Sequence, residues 1–532
     1  MTLQPMNRRR FLAASVKTAA AYAALNVLAA DAWALPALTP NLANDPRRPQ
    51  FHLLPAANWM NDPNGPIYWK GRYHMFFQYN PHAAVWGDMH WAHAVSPDMV
   101  HWKHLPIALA PTPGGPDADG CFSGTAVVRD GVITFIYTGV AKASYEQATL
   151  RDGNNNFKET QCYATSNDTE LRTWTKRPTP VIATPPKEFE VTGFRDPVPW
   201  KSSDGWYMAV GSGIKGKGGT VLLYKSPDLQ NWEYLHLLCG GESKGTANAA
   251  NPTNPVDSGD MWECPDFFEL GGKHVLIYST QGKVLWQTGE LDTKAMVFRA
   301  GQSGLLDYGS FYAPKTQLDR HGNRILWGWI QETRSVAEYS ASGWAGMMSL
   351  PRVLTLGSDG RLRMSVAAEV EKLRRHEQKL RLVPVKAGSK ETISDGKLKD
   401  ACGELLCVVK PSEEPFTLDL LSPVDSKSAQ PVDALPSFLS IRYSKANAKE
   451  LVVDQQRLPI HLANGEALEL RFFVDGSVIE LFVNGQVSCT KRFYYPGTAA
   501  PEIAVSIAGK TADVTRLSLW QLTPISKDRL TS

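Results

Sequence analysis

Along the first two thirds of the chain, apolar or alternating runs come in pairs, and a glycine turn separates the members of each pair. "NDPNGPIYWKGRYHMFFQYNP" folds back at Lys70-Gly71-Arg72, and "FSGTAVVRDGVITFIYTG" at Arg129-Asp130-Gly131. "FRDPVPWKSSDGWYMAVGS" does so at Ser203-Asp204-Gly205, "ECPDFFELGGKHVLIYST" at Gly271-Gly272, and "FYAPKTQLDRHGNRILWGWI" at His321-Gly322-Asn323. Glycine turns between runs of β-formers are a strong short-range hairpin signal. They define five units starting near residues 61, 122, 194, 263 and 311. A second echo supports the repeat: Ser96-Pro97-Asp98, Ser166-Asn167-Asp168 and Ser226-Pro227-Asp228 are each followed by a tryptophan, at Trp102, Trp174 and Trp232. Units of this size with several strands and no strong helical period predict propeller blades. The expectation is an all-β chain with a five-bladed β-propeller over residues 47–360; a β-sandwich with coincidental hairpins is the rival.

The pattern changes after "SLPRVLTL". Residues 365–380, "SVAAEVEKLRRHEQKL", are polar and read as helical, so 361–380 is expected to be a linker. Alternating strands return in "LELRFFVDGSVIELFVNGQ", with turns at Asp475-Gly476-Ser477 and Asn484-Gly485, and predict a β-sandwich over 381–526. At the other end, Arg8 to Arg10, a short Ala-rich apolar run and Ala32-Trp33-Ala34 form the pattern of an export signal over residues 1–34, with a twin-arginine-like start. An exported mature protein is expected, periplasmic or extracellular and off the membrane once the signal is cleaved.

Composition narrows the chemistry. The 532 residues carry a formal net charge of +3. The first 34 hold Arg8, Arg9, Arg10 and Lys17 against Asp31, so the mature chain is near neutral and nucleic acid is not an expected partner. The 16 tryptophans suit a sugar binder, because aromatic faces stack on sugar rings. Seven scattered cysteines form no metal-binding pair; Cys402 and Cys407 are near enough in sequence to suggest a disulfide. No histidine pair has zinc spacing and no calcium loop is present, so no metal or cofactor is expected.

Three unit starts bring an acid: Asp62 in "WMNDPNG", Asp196 in "FRDP" and Glu263 in "WECPDF". At equivalent places in a propeller they would converge at one mouth of the central channel. Paired carboxylates suit glycoside hydrolysis, one attacking or activating water and the other protonating the leaving oxygen. Amides of the Asn-rich turn can hold Asp62 ionised, while neighbouring negative charge and the apolar flank of Trp262, Phe267 and Phe268 should favour a protonated Glu263. Cys264 reads as a small packing residue.

"WMNDPNG", "FRDP" and "ECP", in that order, resemble the signature set of glycoside hydrolase family 32, the β-fructofuranosidases, which include invertases, levanases, inulinases and fructan exohydrolases. The likeness extends to "FFQYNP", "FSGTAV", "DYGSFYAPKT", "RILWGWIQE" and "FVDGSVIELFVNG", and several segments are similar to the plant-type branch. The resemblance implies a propeller followed by a sandwich, and sucrose or fructans as substrate. It assigns Asp62 as nucleophile, Glu263 as general acid and then base, and Asp196 with Arg195 as the group gripping fructose hydroxyls. Asn61, Gln78, Trp86, Phe122 and Ser123 would shape the fructose subsite, and Lys283 the glucose side. A fructosyltransferase using the same covalent intermediate and a non-catalytic fructan-binding protein are the alternatives.

Overall fold

The computed structural model describes residues 41–532 apart from 153–154, 242–258, 385–390, 413, 423–436, 445–449 and 511–512. The export signal expected at 1–34 lies outside the described residues. Each of the five repeats is a sheet of its own, with first strands Asn58–Trp69, Gly120–Arg129, Val191–Ser202, Glu263–Leu270 and Phe311–Leu318. These first strands pack against one another in cyclic order and close a ring, the fifth returning to the first. Asn58 and Trp59 also pair in parallel with Trp344 and Ala345, so a strand from the end of the propeller straps its beginning. This part of the chain is a five-bladed propeller, as the hairpin spacing predicts.

The Ser-x-Asp turns are one device used three times. In the first and third blades the Asp98 and Asp228 carboxylates accept backbone N–H groups two and three residues on. The Trp102, Trp174 and Trp232 indoles donate to the carbonyls of Met99, Leu171 and Leu229, 2.9–3.1 Å away. All three carbonyl residues have positive φ, 58° to 67°. The tryptophan thus pins a left-handed turn that its own sequence would not favour.

Residues 361–380 are not a helical linker. Leu362–Val366 is the outer strand of the fifth blade, only Ala368–Glu371 is helical, and Arg374–Lys379 is a strand pairing with Val514–Leu522. Arg374–Lys379 lies on a sheet edge, where a polar run is tolerated because one row of its backbone groups and most side chains face water. The disulfide expectation also fails. Cys402 and Cys407 are free and lie on one strand, Cys402–Val409; five residues of strand separate them by about 16 Å, too far to bridge.

Beyond this point two antiparallel sheets face each other across a core that includes Leu418, Ile441, Leu470, Leu481 and Ile507. Both predicted hairpins are present, joining Leu468–Asp475, Val478–Val483 and Val487–Arg492. The middle strand is buried on both faces. Ile479, Leu481 and Val483 point into the sandwich core, while Phe482 packs with Phe311 and Leu354 of the propeller. Cutting the chain near residue 360 should therefore expose a large apolar face of the propeller and give aggregated protein. Light scattering and activity of the fragment test this; a soluble, fully active fragment would show that the sandwich is dispensable.

A buried ionic cluster crosses the same seam. Arg352 of the propeller donates to Asp307 and to Glu480 of the sandwich, with all three side chains fully buried. His52 lies between Asp475, 2.8 Å from Nδ1, and Glu480, 3.0 Å from Nε2. Burial pushes the imidazole toward neutrality, but the hydrogen bonds and charges of the two carboxylates outweigh it and raise the pKa to about 9.

Candidate active site

Every first strand carries an extra residue at the same level. The ladder slips between Met60 and Pro63, Phe122 and Gly124, Arg195 and Val198, Glu263 and Asp266, and Tyr312 and Lys315. A bulge leaves its residue out of the pleat and re-aims the side chain. Asp196, Cys264 and Ala313, each followed by proline, adopt positive φ of 65°, 47° and 49° at these points. Such backbone costs roughly 1–3 kcal/mol per residue and persists only where the surroundings enforce it.

The bulges sort the side chains into two tiers. Asp62, Ser123, Asp196 and Cys264 form the inner tier and are fully buried. Ser123 Oγ donates to Asp62 Oδ2 at 2.6 Å. The Cys264 N–H donates to Asp196 Oδ2 at 2.8 Å, and its Sγ stands 3.5 Å from an oxygen of each aspartate. Phe122, Arg195, Glu263 and Tyr312, each just before its bulge, form the outer tier. Here Glu263 is 6% exposed, and accepts from Arg195 Nη2 at 2.7 Å and Tyr312 OH at 2.6 Å. The three acids therefore do not occupy equivalent places, as the repeat suggested: two lie in a bulge and Glu263 one step before it. That offset leaves Glu263 slightly exposed and Asp62 fully buried.

The amide beside Asp62 has a fixed orientation. Trp59 Nε1 donates to Asn61 Oδ1 at 2.7 Å, which turns Asn61 Nδ2 onto Asp62 Oδ1 at 3.0 Å. Trp59 is held in turn by Trp329 and Tyr339, with ring centroids 5.8 and 5.7 Å away. The Asn-rich stretch is thus part of a buried strand in which the Asn61 amide serves the Asp62 carboxylate.

The other expected residues fall around this centre. Gln78 is fully buried; its Nε2 donates to the Cys121 carbonyl at 2.8 Å, while its Oε1 has no protein partner. Trp86 stands edge-on to Phe122 at 5.9 Å, and its buried Nε1 likewise has no partner. A buried donor and a buried acceptor left open in this way suit the hydroxyls of a bound sugar. Lys283 begins the strand after the Gln281-Gly282 turn, at the same end of the fourth blade as Glu263, and no hydrogen bond joins it to the acids.

Three features escaped the sequence. Tyr312 caps Glu263 from the fifth blade, and Cys264 bridges the aspartates rather than merely packing. Arg195 turns to Glu263 and to Glu159, 2.8 Å from Nη1, while its Nε is 4.0 Å from Asp196. Only the "FYAPKT" segment that carries Tyr312 gave any hint. An arginine and a phenol donate to Glu263, contacts that favour its ionised form and oppose the effect of the neighbouring negative charge.

Three carboxylates linked through Arg195 and Cys264 within a propeller, backed by a β-sandwich, make the kind of paired-acid site that glycoside hydrolysis uses. The chain belongs to family 32 of the glycosyl hydrolases: the family's N-terminal domain matches residues 52–365 and its C-terminal domain residues 369–521. It is similar to the raffinose invertase of Escherichia coli, 36% identical over 89% of this chain and 95% of that one. The sucrose-6-phosphate hydrolase of Escherichia coli is 34% identical over 89% and 94%. The acid β-fructofuranosidase of Vicia faba is 30% identical over 90% and 81%, so these bacterial relatives are nearer than this plant enzyme. Among solved structures, fructan 1-exohydrolase IIa from Cichorium intybus superposes with a TM-score of 0.72 at 26% identity, covering 90% of this chain and 98% of that one.

Proposed function

We propose that this chain is an exported, retaining β-fructofuranosidase that releases terminal fructose from sucrose and fructans. The observation that carries the mechanism is the two-tier floor. Asp62, at the bottom, attacks the anomeric carbon and forms a fructosyl-enzyme. Asn61 and Ser123 hold its two oxygens apart and orient it. Glu263, one tier nearer the mouth, protonates the departing oxygen and then takes a proton from the attacking water. Asp196, oriented by the Cys264 N–H, faces sugar hydroxyls beside the developing positive charge. Gln78, Trp86 and Phe122 wall the fructose side. Retention requires the reacting carboxyls to sit ~5 to 5.5 Å apart.

The leaving-group side sets preference. Ser279, Thr280 and Gln281 occupy the stretch where, in the plant-type branch, a carboxylate would grip the glucose of sucrose. Ser279 is committed elsewhere, its Oγ accepting the Ala313 N–H at 3.1 Å. Without that charged acceptor the site forgoes a bond of roughly 1.5–3 kcal/mol, about ten- to a hundredfold in preference. Sucrose and short fructan oligomers should therefore have kcat/KM within about a hundredfold of each other, with free fructose as the first product. A larger sucrose preference, or long oligosaccharides released first, would refute the exo-acting, unselective reading. Products longer than the substrate in concentrated sucrose would instead mark a transferase.

A further inference from the structure

Glu263 must carry a proton to act first, yet it sits against a guanidinium. The resolution lies one residue further back. Glu159, on the strand Asn155–Ser166 of the second blade, is fully buried. Its Oε2 accepts the Thr149 hydroxyl at 3.0 Å and the Phe194 N–H at 2.7 Å, and its Oε1 accepts Arg195 Nη1 at 2.8 Å. The same guanidinium reaches Glu263 through Nη2. Its lane is narrow: a Cβ on Gly193 would stand 2.6 Å from Nη1 and 2.7 Å from the Met261 sulfur. Arg195 is therefore a fork held at one prong by a buried anion and presented by the other to the outer-tier acid.

We propose that Glu159 is a positioning residue that sets the protonation of Glu263 through Arg195. A buried ion pair satisfies the arginine charge at Glu159, so the prong offered to Glu263 orients the carboxyl without holding it fully ionised. Among the described residues, groups that bear on Glu263 include Tyr312, which donates to it, Lys315, whose ammonium donates to the nearby Pro265 carbonyl at 2.8 Å, and the inner-tier Asp62 and Asp196. Of these, the aspartates favour the protonated acid and the other two oppose it. Removing the Glu159 charge would leave more of the guanidinium charge to act on Glu263, with Asp196 a second anion 4.0 Å from Nε.

This rests on Glu263 being the proton donor, and the test separates the two claims. In Glu159→Gln, the alkaline limb of kcat/KM on sucrose should move to lower pH by about one unit, giving up to tenfold loss on the alkaline side and little on the acid side. With an aryl β-fructofuranoside such as the p-nitrophenyl compound, whose leaving group needs no proton, kcat/KM should change little. If Glu159→Gln does not fold, Glu159→Asp keeps the charge but withdraws it from Arg195, and should move the limb the same way by less. An unmoved limb in whichever variant folds, or an equal loss on both substrates at every pH, would overturn the proposal and leave Glu159 a structural residue. Near-normal turnover by Glu263→Gln would overturn the underlying assignment instead.

Discussion

Asp62→Asn and Glu263→Gln should each fold normally and lose about three to five orders of magnitude in kcat, since each removes a chemical step rather than a contact. The substitutions are isosteric. In Asp62→Asn the amide oxygen still accepts from Ser123 or Asn61, and in Glu263→Gln it still accepts from Arg195 or Tyr312, so the two tiers keep their shape. What disappears is the attacking charge in one case and the transferable proton in the other. Asp196→Asn should behave differently, losing transition-state binding and so falling in kcat more than it rises in KM. Turnover on sucrose, with circular dichroism to verify folding, decides all three. Activity within tenfold of wild type in either of the first two would end the assignment, and a pure KM effect at Asp196 would end its role.

The second large effect is on stability. Arg352→Met should cost about 3–5 kcal/mol, because it leaves Asp307 and Glu480 buried without their cation. Denaturant titration reads this directly, and a loss under about 1 kcal/mol would show the cluster to be energetically neutral. His52 adds a pH dependence of definite sign. Its folded pKa of about 9 lies above the ordinary 6.5, so its contribution is complete below about 6.5 and is lost as pH rises through about 9. Wild-type stability should fall across that window, and His52→Gln should flatten the fall while lowering the plateau below it. The same slope in both proteins would remove His52 as its source.

The ring was legible because its signals are local. Glycine turns, Ser-x-Asp turns and acids beside proline all lie within a few residues of the structure they specify. Asp62 and Asp196 could be placed on that ground. The outer-tier contacts could not: Arg195 meets Glu159 across 36 positions and Glu263 across 68, and Tyr312 meets Glu263 across 49. No periodicity records which blade faces which. The one-step offset of Glu263 was hidden because the bulge is a property of pairing, not of composition. Arg374–Lys379 misled for the opposite reason: a short polar run has helical character in isolation, and its pairing with Val514–Leu522 overrides that preference.

The repeated bulge has a bearing on how such enzymes change over generations. Two of the five axial seats hold acids, Asp62 and Asp196, while Ser123, Cys264 and Ala313 fill the others with uncharged groups. The ladder resumes its register on either side of every seat, whatever letter occupies it. Inheritance of shape is thereby separated from inheritance of chemistry. A codon change at Ala313, which carries no side-chain hydrogen bond to the acids, alters what faces the axis within a ladder that stays in register, whereas Ser123 is tied to the nucleophile; new specificities on this scaffold can thus begin as point mutations rather than as rebuilt loops.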